Sequence, residues 1–115
     1  MNDERRIYPR ISVDIAAEVE LHRIETVDVR ITDLSLSGLS IEGDERLTNL
    51  RPIASYGAME LEVHFGIEGS PVHCRCRVIY KRREGQSKSS MGLTILTIPE
   101  DQKERLATFI GRAQS

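Results

Sequence analysis

Asp33-Leu34-Ser35-Leu36-Ser37-Gly38 gathers a carboxylate, two hydroxyls and a glycine into one short run, and Arg5, Arg6 and Arg10 crowd guanidinium groups near the start of the chain. Guanidinium forks bind phosphate and the O6/N7 edge of guanine bidentately, and they stack on aromatic planes. A carboxylate such as Asp33 is the acceptor that a guanine N1–H and N2 amino group require. The ligand that suits both parts together is an anionic guanine nucleotide.

The elements that must position these groups read as strands. In Val27-Asp28-Val29-Arg30-Ile31 the apolar residues fall on odd numbers, move to even numbers at Leu34 and Leu36, and return to odd at Leu39 and Ile41. A period-two pattern changes face only where an extra residue enters, so a bulge or tight bend is expected on each side of Asp33–Ser37. Gly38 suits the second bend, since it tolerates positive φ and lets a ligand approach the backbone. Between the bends Asp33, Ser35 and Ser37 would share one polar face, a shelf held from behind by Leu34 and Leu36.

Arg6-x-x-x-Arg10 followed by Asp33-x-Ser35-x-x-Gly38 resembles the PilZ domain, and both motifs are matched without departure. Arg77-Val78-Ile79-Tyr80, Met91-Gly92-Leu93-Thr94-Ile95 and a closing helix extend the likeness over nearly the whole chain. The resemblance implies a bacterial receptor for the second messenger cyclic di-GMP. Arg6 and Arg10 would grip phosphate and guanine edges, Asp33 would accept from a guanine Watson–Crick edge, and Ser35 would bond phosphate or base. Gly38 would leave room for the ring. Arg5 resembles the basic residue that accompanies two stacked ligand molecules in this family. Signalling would proceed by ordering of the N-terminal arm towards a protein effector, with motility, polysaccharide or secretion machinery all compatible. An adaptor that binds protein but no nucleotide is the alternative that the resemblance leaves open.

The 115 residues suffice for one domain with one core and no staples. A net charge of −2 excludes a generic nucleic-acid binder, and 4% aromatics without tryptophan argue against a small barrel that stacks single-stranded bases. No apolar run reaches membrane-spanning length and the opening residues are no secretory signal, so a cytoplasmic protein without a membrane span is expected. Cys74 and Cys76 alternate along a strand and read as small buried hydrophobes, facing inward with Val72, Val78 and Tyr80. His22, His64 and His73 have no metal-ligand spacing and sit on the polar phase of their strands. Ser35 has no base placed beside it by any sequence argument, and no phosphate loop precedes a helix. The expectation is therefore no catalytic residue, no metal and no cofactor beyond the ligand.

The chain divides into a polar arm over residues 1–11 and a barrel domain over 12–115. Strands are expected around Val13–Leu21, Val27–Ser37, Leu39–Glu42, Met59–Phe65, Val72–Lys81 and Met91–Thr97. His22-Arg23-Ile24-Glu25 turns the chain, Gly66–Ser70 is a hairpin turn, and Gly43–Tyr56 is a long connection in which Pro52 opposes a regular helix. Lys81-Arg82-Arg83 reads as a solvated strand end and Glu84–Ser90 as a polar loop. Pro99 suits the first position of a helix over about 99–113, with Leu106, Phe109, Ile110 and Ala113 on its apolar stripe. Six hairpin-spaced strands and a terminal helix define a mainly β fold, a six-stranded antiparallel barrel.

Overall fold

The computed structural model describes residues 9–21, 25–50 and 59–114. They form strands β1 (Ile11–Leu21), β2 (Glu25–Leu34), β3 (Gly38–Gly43), β4 (Glu60–Ile67), β5 (Ser70–Arg83) and β6 (Ser89–Thr97). Two helices accompany them, α1 (Glu45–Thr48) and α2 (Glu100–Ala113). The strands close on themselves in the order β1-β2-β3-β6-β5-β4, with every neighbouring pair antiparallel. The expected six-stranded antiparallel barrel with a C-terminal helix is the fold that forms.

The two-residue alternation decides which side chains fill it. Val27, Val29 and Ile31 of β2 and Leu61, Val63, Phe65 and Ile67 of β4 are buried, while Asp28 and Arg30 between the first set are exposed. Leu34, Leu39, Ile41, Met91 and Leu93 complete the interior from the β2–β3–β6 side. Leu106 and Ile110 of α2 join this core, Phe109 is half-buried against it, and Ala113, expected on the same stripe, is exposed. Pro99 is the N-cap rather than the first helical residue. Its fixed φ still leads into the helix, and Glu100 and Asp101 lie in the first turn, where the helix dipole favours them.

The connection after β3 holds an element that the pattern of apolar residues did not reveal. Asp44 caps α1 by accepting from the Arg46 backbone N–H at 2.9 Å, and Leu47 and Leu50 plug the barrel at this end. The Arg46 side chain, hydrogen-bonded to the same carboxylate, holds Asp44 below the usual carboxylate range. Residues 51–58, with Pro52, lie outside the described residues, as does the turn at 22–24.

The β4–β5 hairpin is tighter than expected. Ile67 pairs with Ser70, so only Glu68 (φ 52°) and Gly69 (φ 84°) make the turn. Positive φ at both central positions is the two-residue geometry whose twist matches the flanking strands.

Strand β5 departs from its sequence pattern at one residue. Val78 pairs with Leu93 and Tyr80 with Gly92, leaving Ile79 unpaired against β6 as a bulge that is 67% exposed. The bulge shifts the inward phase by one. Tyr80, expected inside, is therefore turned out, with its ring over the Gly92 backbone and the Arg82 guanidinium 5.1 Å from its centroid. Lys81 takes the register opposite buried Met91 and donates to the carbonyls of Thr48 and Leu50 at 3.3 and 3.2 Å. It is a cap on α1 and not merely a solvated strand end.

Cys74 and Cys76 are free and buried with Sγ atoms 3.6 Å apart. Hydrogen bonding with Cys74, and then burial, push the Cys76 thiol far above its ordinary range. The native protein should therefore react slowly with a thiol reagent such as DTNB at mildly alkaline pH, with both thiols reacting promptly in denaturant. Immediate labelling of either thiol in the folded chain would contradict this placement.

Candidate functional site

The β2–β3 connection brings together the motif residues that are described. The extra residue that the apolar phase demanded lies at Thr32: Ile31 pairs with Ile41, but Asp33 pairs with Ser40. A second irregularity lies in β1 between Ser12 and Ile15, facing the same stretch of β2. These bulges swing the end of β2 so that Asp33 emerges at the barrel rim, its side chain 31% exposed.

Arg10, just before β1, reaches this carboxylate. Its Nη1 donates to Asp33 Oδ1 at 2.7 Å, and its side chain is 52% exposed. Ser40 Oγ donates to Oδ2 at 3.3 Å from the facing position on β3. Both oxygens are thus oriented from within the protein, yet each keeps lone-pair capacity for a further donor. Ser40 was missed in sequence because it lies beyond the motif. Only the β2–β3 register, displaced by the bulge, sets it against Asp33.

The flat shelf of Asp33, Ser35 and Ser37 does not form. Strand β2 ends at Leu34 and the chain turns at once, with Ser35 N–H donating to the Gly38 carbonyl at 2.9 Å. Ser35 is wholly buried. Its Oγ accepts from the backbone N–H groups of Ser37 and Gly38, both at 3.1 Å, and lies 3.2 Å from the Gly38 carbonyl oxygen. A hydroxyl committed to this many backbone groups organises the turn from inside. Ser37 is exposed, and its carbonyl accepts from Ile95 N–H at 2.9 Å and Thr94 Oγ1 at 3.2 Å, which ties the turn to β6.

Gly38 also has a different reason from the expected one. Its φ is not in the left-handed region. A Cβ there would instead overlap the Leu93 carbonyl oxygen of β6, so the glycine allows the two strands to approach closely. Arg5 and Arg6 lie outside the described residues.

A corner made of a polarised carboxylate and a neighbouring guanidinium can offer paired acceptors and paired donors to one planar polar edge. Among the described residues, no cluster of three or more histidine, cysteine, aspartate or glutamate side chains converges for a metal ion. No helix of these residues is long and apolar enough to cross a membrane.

The chain belongs to the PilZ domain family, whose model matches residues 4–112. Its fold is similar to that of the inhibitor of motility MotI/DgrA from Bacillus subtilis, with a TM-score of 0.73 and 15% identity over 99% of this chain and 53% of that one. It is also similar to the PilZ domain of YcgR from Escherichia coli with c-di-GMP, with a TM-score of 0.66 and 18% identity over 96% of this chain and 92% of that one. A third similar structure is the PilZ domain of CeSA from a cellulose-synthesizing bacterium, with a TM-score of 0.61 and 18% identity over 89% and 95% of the two chains. This chain thus spans about half the length of the motility inhibitor and most of the isolated PilZ domains. No curated protein matches it in sequence.

Two substitutions test the structural roles of the motif. Ser35→Ala should lower folding stability by about 1–3 kcal/mol by leaving buried N–H groups of the turn unpaired. Gly38→Ala should cost a similar ~1–3 kcal/mol through overpacking against β6. Guanidinium denaturation checks both, and an unchanged midpoint in either variant would contradict the geometry.

Proposed function

We propose that this chain is a receptor for cyclic di-GMP, with Arg10 and Asp33 at the centre of its site. The observation that carries the reading is their contact: a rim carboxylate, oriented by Ser40 and touched by an arginine just before β1, in a PilZ domain. Asp33 would accept the guanine N1–H and N2 amino group in parallel on its free lone pairs, retaining its internal partners. Arg10 would turn its remaining donors, or its planar face, to the phosphate or the purine. Arg6, one Arg-x-x-x-Arg spacing before Arg10, would supply a second fork, and Arg5 a contact that favours two stacked ligand molecules.

Ser35 serves in this reading through the turn and not by touching the ligand. Its burial supports that role. Ligand would draw the arginine-bearing arm of residues 1–11 against the rim and so change the surface offered to a protein effector, whether of motility, polysaccharide or secretion machinery.

Isothermal titration with cyclic di-GMP, with GTP and cyclic di-AMP as controls, tests the proposal. Saturable, guanine-selective binding is expected, and its stoichiometry reports on Arg5. Arg10→Ala should lose one or two charge-assisted hydrogen bonds of roughly 1.5–3 kcal/mol each, a fall in affinity of about tenfold to a hundredfold or more. An isotherm for Arg10→Ala that overlays the wild type would remove the clamp. No binding by the wild type would return the chain to the adaptor reading.

A further inference from the structure

Across the barrel from Asp33, the β4–β5 register sets His64 directly opposite His73 on the outer face. Their rings meet edge to face, with centroids 4.5 Å apart and planes at 76°. The two Nδ1 atoms are 3.1 Å apart. Behind each ring stands a carboxylate: Glu20 Oε1 of β1 lies 3.1 Å from His64 Nε2, and Glu62 Oε1 of β4 lies 2.8 Å from His73 Nε2.

Counting protons gives this arrangement its meaning. An ionised carboxylate only accepts, so each Nε2 must carry a hydrogen. A neutral imidazole has only one, and both Nδ1 atoms then carry bare lone pairs 3.1 Å apart. Such a pair is at ease only with a cation between, either a shared proton or a metal ion. From the geometry and its surroundings we propose that His64 and His73 form a binding site for one divalent transition-metal ion of the zinc class.

The nitrogen spacing is near what this needs. Two Zn–N bonds of about 2.0–2.1 Å at a tetrahedral angle place the nitrogens roughly 3.3–3.4 Å apart and the ring centroids roughly 5.2 Å apart, so the two exposed rings, at 3.1 and 4.5 Å, turn outward to take the ion. A carboxylate on the far nitrogen of each ligating histidine fixes its tautomer and raises its basicity, and Glu20 and Glu62 stand in those places. Imidazole ligands select zinc, copper or nickel over magnesium or calcium.

The surrounding charge also favours a cation. Glu18 of β1 stands opposite His64 in register, and Glu20 and Glu62 contact the two rings. Against these three carboxylates stands Arg75, which bridges Glu62 and Glu60, while Arg77 reaches Glu60 further along the strand. The neutral Gln102 of α2 accepts from the His73 backbone N–H at 2.7 Å and steadies the ring's strand. With His64 34% and His73 51% exposed at the side chain, the remaining coordination positions open to water.

The test uses the untagged full chain in metal-free buffer, titrated with zinc chloride by calorimetry and with cobalt chloride by visible absorbance. One ion per chain is expected, with zinc displacing cobalt. His64→Ala and His73→Ala should each abolish saturable binding, and Glu20→Gln and Glu62→Gln should each weaken it by about tenfold to a hundredfold. Circular dichroism without metal establishes that each variant folds, and His73, the more exposed ring, provides the variant least able to disturb the core. Wild-type affinity in both alanine variants, or in both glutamine variants, would overturn the site. So would the absence of saturation at millimolar metal, with histidine nitrogen resonances reporting a shared proton alone.

Discussion

A chain that reverses direction inside a closed sheet must still satisfy every backbone amide it buries. At the β2–β3 corner that requirement falls on one hydroxyl. Ser35 Oγ takes the N–H groups of Ser37 and Gly38, while the Ser37 carbonyl is handed to β6. This exchange supports the turn from which β3 runs back antiparallel, with Leu34 and Leu39 paired and buried in the core. The close approach of Gly38 to the Leu93 carbonyl extends the same solution to the third strand.

From this follows a difference within one short motif. Ser35 and Gly38 are buried in the turn and against β6, and Asp33 is partly exposed at the rim. Its placement depends on theirs: the bulge at Thr32 and the turn at Ser35 bracket it, and Ser40 becomes its neighbour only because β3 returns in that register. A rigid scaffold thereby presents a single oriented carboxylate to the arginine of a chain segment that precedes the sheet.

Much of this was legible in the order of residues. Alternation along β1, β2, β4 and β5 marked those strands, and the change of phase between Ile31 and Leu34 located the bulge, because burial on one face leaves no other way to read a slipped period. What escaped had physical reasons. At Ser35 and Gly38 the residue types suit a ligand and a turn alike, and neither the turn's hydrogen bonds nor the close approach to β6 shows in the residue order. Tyr80 was placed inside because nothing in its own type announces the bulge at Ile79; a bulge is a property of two strands. The short α1 follows from Asp44 as an N-cap, a single-residue signal without the length that makes periodicity visible. His64 and His73 lie nine positions apart, with no ligand spacing along the chain, and they meet only through strand pairing.

Strand β1 pairs with β2 over nearly its full length, but with β4 only from Ala17 to Glu20 among the described residues. Among the described residues the barrel is thus closed at one end of this strand, and the other end, where Arg10 enters, is paired with β2 alone. On the pairings described, local opening is expected first near Ile11 and last near Val19. Whatever grips Arg10 pulls on the least protected end of the stave that closes the barrel, so occupancy at the rim would register as a change in the opening frequency of the sheet itself.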